Sequence, residues 1–177
     1  MRDVDYDRLV SVFVLTCGKE LDDNSLICQL FFAQKLGFNL DFNFRVNQRG
    51  VSSSKADSYL KGLVVDGKLS VDNSRSSYTY PVRSTSDRVM VCGEDFFLLE
   101  ELRVLLSDLD SWELSFIVTL AILQEDIMFS QREDKQSFDD SKTEVISAMK
   151  RLCSNYNDDL FDAASERLLN IYKLKER

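Results

Sequence analysis

No histidine occurs in the 177 residues, so the side chain most used for general acid–base catalysis and for transition-metal ligation is missing. Cysteine does not replace it. Cys17, Cys28, Cys92 and Cys153 are far apart and form no C-x-x-C pair, which leaves a zinc site without its usual spacing. Four cysteines allow two disulfides, but each sits in an apolar helical or strand context, and buried thiols are the better reading. There is no G-x-x-x-x-G-K-[ST] phosphate loop, no G-x-G-x-x-G and no G-x-S-x-G. The carboxylate pairs Asp22-Asp23, Glu100-Glu101 and Asp158-Asp159 fall at predicted helix starts or on exposed faces, where capping and solvation explain them. The expectation is a protein that is not an enzyme, with no catalytic residue, metal or cofactor.

Long apolar runs are also absent. The densest, Phe116 to Leu123, is about half of the roughly 18 residues a membrane span needs. The amphipathic stretches lack the basic polar face of a membrane-surface helix, so no membrane partner is expected. The start, MRDVDYDRL, has neither the basic region nor the cleavage site of a signal peptide, which points to the cytoplasm. With one proline and six glycines, breakers are few and helices are favoured.

What is present follows an order. An apolar stripe of Leu9, Val10, Phe13, Val14 and Cys17 predicts a helix from about Asp5 to Cys17, closed by Gly18. A second helix follows the capping oxygens of Asp22-Asp23-Asn24 and stops at Gly37. Phe38, Leu40, Phe42 and Phe44 then alternate with polar residues, the period of a half-buried strand. Ser52 or Ser53 caps a third helix that ends near Asp66-Gly67. KLSVD and SYTYPV read as two strands around the turn Asn73-Ser74-Arg75-Ser76. Helix, helix, strand, helix, strand, turn, strand is the order of a winged helix. Beyond it the chain reads as helical: Glu94 to Ser107, then Ser111 to Met128 as a central helix, apolar all round in its middle. QREDKQSFDD reads as a loop, followed by a capping box at Ser141-Lys142-Thr143-Glu144. The last helix begins after Asn157. The fold class expected is mainly α with a small β-sheet. A winged helix-turn-helix domain spans residues 1–90 and a helical region residues 91–177, and the two are able to pack as one unit.

The formal charge of −8 is unevenly spread. Residues 1–90 hold twelve Lys/Arg and eleven Asp/Glu, whereas residues 91–177 hold ten and nineteen. Within residues 45–88, eight basic side chains (Arg45, Arg49, Lys55, Lys61, Lys68, Arg75, Arg83, Arg88) meet four acidic ones. On the third helix, Ala56, Tyr59, Leu60, Leu63 and Val64 fall on one side. Ser54, Ser58 and Lys61 fall opposite, with Lys55 at the margin and Asp57 at the edge. Hydroxyls and lysines there suit phosphates or base edges, although the face lacks the Arg, Gln or Asn most used for bidentate base reading. The candidate DNA-binding residues are Arg49, Ser54, Lys55, Ser58, Lys61, Lys68 and Arg75, with Arg75 at the wing tip placed for the backbone or minor groove. The partner expected is double-stranded DNA, contacted by a homodimer, as palindromic sites require. The bland alternative is a solvated polar face on a winged helix that contacts proteins. A third reading makes the acidic second half a DNA mimic.

LICQLFFAQKLGFNLDFNF followed by RGVSSSKADSYLKGLVVDGKL resembles the YwgA-like winged-helix proteins. Gln34-Lys35-Leu36-Gly37 and the aromatic stretch Phe38 to Phe44 carry the match, and DSWELSFIVTLAIL resembles that family's central helix. Gly50-Val51-Ser52 stands where the family has a turn with proline and an aromatic. LFFAQ is also similar to the SocA-like (Panacea) domain of antitoxins and other interaction proteins. The resemblance implies a fold and a binding role, with no catalytic residue to carry over.

Overall fold

The computed structural model describes residues 21–47, 50–72, 77–79, 94–134 and 138–175. The expected helix from Asp5 to Cys17 and the turn at 73–76 lie outside them. The described chain is mainly helical, with two small antiparallel sheets.

Strand β1 (Leu21–Asp22) runs straight into α1 (Asp23–Lys35). Asp22 is the N-cap: its Oδ1 accepts from the Ser25 N–H at 2.9 Å and its Oδ2 from the Ser25 hydroxyl at 2.6 Å. Every residue from Ser25 to Ala33 is buried, so α1 is enclosed on all sides rather than along one stripe. Burial pushes the Asp22 carboxyl up, but hydrogen bonds from Ser25 and Ser111 outweigh it and hold the group below the usual carboxylate range. A depressed folded pKa contributes stability that is present above the unfolded value, near 3.9, and is lost as pH falls through the folded one. Asp22→Ala is therefore expected to cost about 1–2 kcal/mol at pH 7 in urea unfolding. The gap to the parent should narrow in acid, and a gap independent of pH would contradict this account.

Residues 38–44 correct the strand expectation. Phe38, Leu40 and Phe42 are buried and Asp41 and Asn43 exposed, so the alternation is real, but no strand spans them. Asp41 turns the backbone to φ +48°, which breaks an extended run. A side chain takes the place of a neighbouring strand. Gln34 accepts from the Phe42 N–H through Oε1 at 2.9 Å and donates to the Phe42 carbonyl through Nε2 at 3.1 Å.

The strands that do form come next, with β3 where the family resemblance implies a turn. β2 (Arg45–Asn47) and β3 (Gly50–Ser52) pair antiparallel with Val46 opposite Val51. Helix α2 (Ser54–Val65) is capped by Ser53, the second of the two expected candidates, whose hydroxyl accepts from the Ala56 N–H. β4 (Ser70–Asp72) and β5 (Ser77–Thr79) form an antiparallel pair with Val71 opposite Tyr78. β5 also pairs with β1, Leu21 opposite Tyr78, which gives the order β1-β5-β4.

Four helices complete the described chain: α3 (Glu94–Leu106), α4 (Ser111–Asp134), α5 (Phe138–Leu152) and α6 (Asp158–Leu174, capped by Asn157). Leu114 to Ala121 are buried without interruption, and α4 packs against α1, α5, α6 and both strands of the β2–β3 hairpin. One hydrophobic cluster draws on both halves of the chain. Two expectations are adjusted here. The break between helices does fall within 131–140, but α4 runs on through Asp134 and α5 begins at Phe138, so the loop is shorter than expected. Ser141-x-x-Glu144 lies inside α5 and not at its start. The reciprocal box is instead Asp110-Ser111-Trp112-Glu113: the Glu113 N–H donates to Asp110 Oδ1 at 2.8 Å, and the Asp110 N–H to Glu113 Oε2 at 2.9 Å.

Candidate nucleic-acid interface

Helix α2 divides as its periodicity predicts. Ala56, Leu60 and Leu63 are buried, Tyr59 is half-buried beside Phe42, and Val64 packs at the core margin. Ser54, Lys55, Ser58 and Lys61 are exposed together on the other side. Lys68 is exposed past the helix end, where its backbone N–H and that of Leu69 both reach the Leu63 carbonyl, at 2.8 and 3.1 Å. Arg49 and Arg75 lie outside the described residues.

The charge of this face is more even than the sequence count implies. Lys55 Nζ donates to Asp41 Oδ2 at 2.7 Å and to the Asp41 carbonyl at 3.2 Å. Sequence reading places Asp41 on a strand and misses this pairing, which the left-handed turn at Asp41 creates. Across residues 41–72 the described cations Arg45, Lys55, Lys61 and Lys68 face Asp41, Asp57, Asp66 and Asp72. Of the excess of four counted over residues 45–88, the described residues hold one (Arg45, Lys55, Lys61 and Lys68 against Asp57, Asp66 and Asp72), and the other three come from Arg49, Arg75, Arg83 and Arg88 against Asp87, all outside the described residues. Both members of the Lys55–Asp41 pair are more than half exposed, so the pair is weak and exchangeable for a phosphate oxygen. Lys61 has no ion-pair partner among the described residues. Val65, 86% exposed at the last turn, is an apolar intrusion at the rim.

Among the described residues no three His, Cys, Asp or Glu side chains gather as metal ligands, and no helix is long and apolar enough to cross a membrane. Cys28 and Cys153 are free thiols, both with raised pKa through burial. Compared with family models, curated proteins and solved structures, the chain matches none, and its function has to be argued from this geometry.

Proposed function

We propose that this chain is a cytoplasmic winged-helix protein of the YwgA-like kind that binds double-stranded DNA and regulates transcription, with α2 in the major groove and β4–β5 as the wing. The observation that carries this reading is strand connectivity. β1, just before α1, pairs with β5, the return strand of the hairpin that follows α2. In sequence α1 and α2 thus lie between two strands of one sheet, an order that supports a helix followed by a wing. The charge balance above assigns most of the affinity to phosphate contacts by Lys61, Lys68, Arg49 and Arg75, with little base reading by Ser54, Lys55 and Ser58.

The test is anisotropy of fluorescent random-sequence duplex DNA at about 50 and 200 mM salt. Affinity should fall with salt, and Lys61→Ala and Arg75→Ala should each reduce the log–log slope by about one while weakening all sequences alike. Unchanged slopes in both variants would remove the phosphate contacts. Palindromic reading calls for two copies. The groove between α3 and α6, where Phe97 and Val104 are exposed with Glu101 on one wall and Lys173 on the other, suits a two-fold partner that sets unlike charges together. A monomeric mass by light scattering at the titration concentration would contradict this.

One observation favours the second reading, a protein-contacting module akin to the SocA-like domain. Residues 36–53, which hold a hairpin of their own, separate α1 from α2, whereas a helix-turn-helix joins its helices by three or four residues. That reading predicts no DNA binding at either salt, with Val65 at the centre of the contact.

A further inference from the structure

We propose that the cleft between the β2–β3 hairpin, the starts of α1 and α4 and the end of α5 binds a neutral, planar ring compound bearing an N–H donor, of the nucleobase or aromatic-carboxamide class. The cleft measures about 370 Å³, within the range of small-molecule sites. In a chain with 29% charged residues, none of the described residues lining it carries a charge. Among those residues an ionised ligand finds no counter-charge to offset its desolvation. The carboxylate nearest in the network, Asp22, is occupied by Ser25 and by the Ser111 hydroxyl, which donates to it at 2.8 Å.

The polar groups that remain are oriented. Asn24 Nδ2 donates to the Ser111 carbonyl at 2.9 Å and to the Ser111 hydroxyl oxygen at 3.0 Å. A carbonyl only accepts, so the amide cannot be turned the other way, and Asn24 Oδ1 is left as an acceptor with no partner among the described residues. Ser115 is 8% exposed, and its Oγ also lacks a partner among them. Both oxygens converge on Gly50, where an added Cβ would lie 3.0 Å from Ser115 Oγ and 3.4 Å from Asn24 Oδ1. Gly50 has φ +113°, so the turn requires glycine, and without a Cβ its backbone can sit close against both oxygens. Asn24 Oδ1 only accepts and the Ser115 hydroxyl accepts or donates, so together they can take an amide or ring N–H. Trp112, 38% exposed, and Phe116 beneath it, with ring centres 5.6 Å apart, supply an aromatic wall for a flat ring. Cys153 completes the lining.

This assignment does not depend on DNA binding, and it has its own reporters. Trp112 is the only tryptophan of the chain, so emission excited at its red edge reads this cleft alone. The probes are nicotinamide, benzamide and adenine, with nicotinate and benzoate as anionic counterparts. A neutral probe should change the emission saturably and slow iodoacetamide modification of Cys153 at least fivefold by peptide mapping. The rate at fully buried Cys28 should stay constant. The anions should do neither, and Ser115→Ala, with an unchanged circular dichroism spectrum, should weaken the neutral probe about tenfold. Three results would each overturn the assignment: only linear, non-saturating quenching with Cys153 unprotected for all three neutral probes, equal binding of the anions, or full affinity in Ser115→Ala.

Discussion

Phe31→Ala is expected to lower the unfolding free energy by about 3–5 kcal/mol, read as a shift in the urea midpoint at constant m-value. Phe31 is almost wholly buried in α1, edge-on to Phe32 and to Phe44 with centroid distances of 5.3 Å in each case, and the Lys35 ammonium sits 5.1 Å above its ring. Truncation removes buried apolar area, leaves a cavity and takes away the surface on which Phe44 rests. Phe44 belongs to the stretch between α1 and β2, which forms no strand and is held in part by side chains. Phe31→Leu, which keeps most of the volume, should cost less than about 1.5 kcal/mol. A loss that small for alanine would mean that residues 38–44 are anchored elsewhere.

Gln34→Leu tests the polar half of the same anchor and is expected to cost about 2–4 kcal/mol, because both backbone groups of the buried Phe42 lose their partner. Amide exchange at Phe42 should accelerate more than at Leu60, which lies inside α2. Gln34→Glu adds a test of sign. A protonated carboxyl offers one donor and one acceptor, matching the Phe42 carbonyl and N–H together, whereas a carboxylate sets an oxygen against that carbonyl. The folded pKa of the new group is then raised above about 4.3, its value in an unfolded chain. Its contribution is fully present below that value and is lost as pH rises through the folded pKa. Relative to the parent at each pH, the variant should approach wild-type stability near pH 4 and fall behind at pH 7. The opposite trend would show that the Phe42 N–H dominates the contact.

Residues 38–44 also show where sequence reading works and where it stops. Alternating burial is legible in Phe38, Leu40 and Phe42, but alternation reports which side chains are covered and not what the backbone bonds to. At Phe42 the bonds run to one amide from the preceding helix. Helices α1, α2, α4 and α6 are legible because their signals are local: apolar spacing, with Asp22, Ser53 and Asn157 able to cap at fixed distance. The box at Asp110–Glu113 carries the same chemistry as Ser-x-x-Glu with an aspartate in the first place, whereas Ser141-x-x-Glu144 has the letters without the helix start. Three-residue strands such as β2 and β3 are too short to show a period. The inner and outer faces of α2 follow from its spacing alone. Its charge does not, because Asp41 reaches Lys55 only through a backbone turn that no residue pattern announces. The cleft beside Gly50 is assembled from four separated elements and leaves no contiguous trace.

The enclosure of α1 has a consequence for how the chain is made. One side of α1 is covered by α4, and the links between them, Asn24 to Ser111 and Lys35 to Glu125, join residues 87 and 90 positions apart. At about 5–20 residues per second, a ribosome takes roughly 5–20 s to deliver α4 after α1 has been made. Throughout that interval the side of α1 that packs on α4 stays uncovered. The nascent chain is thus most open to aggregation and to chaperone capture before α4 emerges, and slowing translation across residues 94–125 would prolong that exposure.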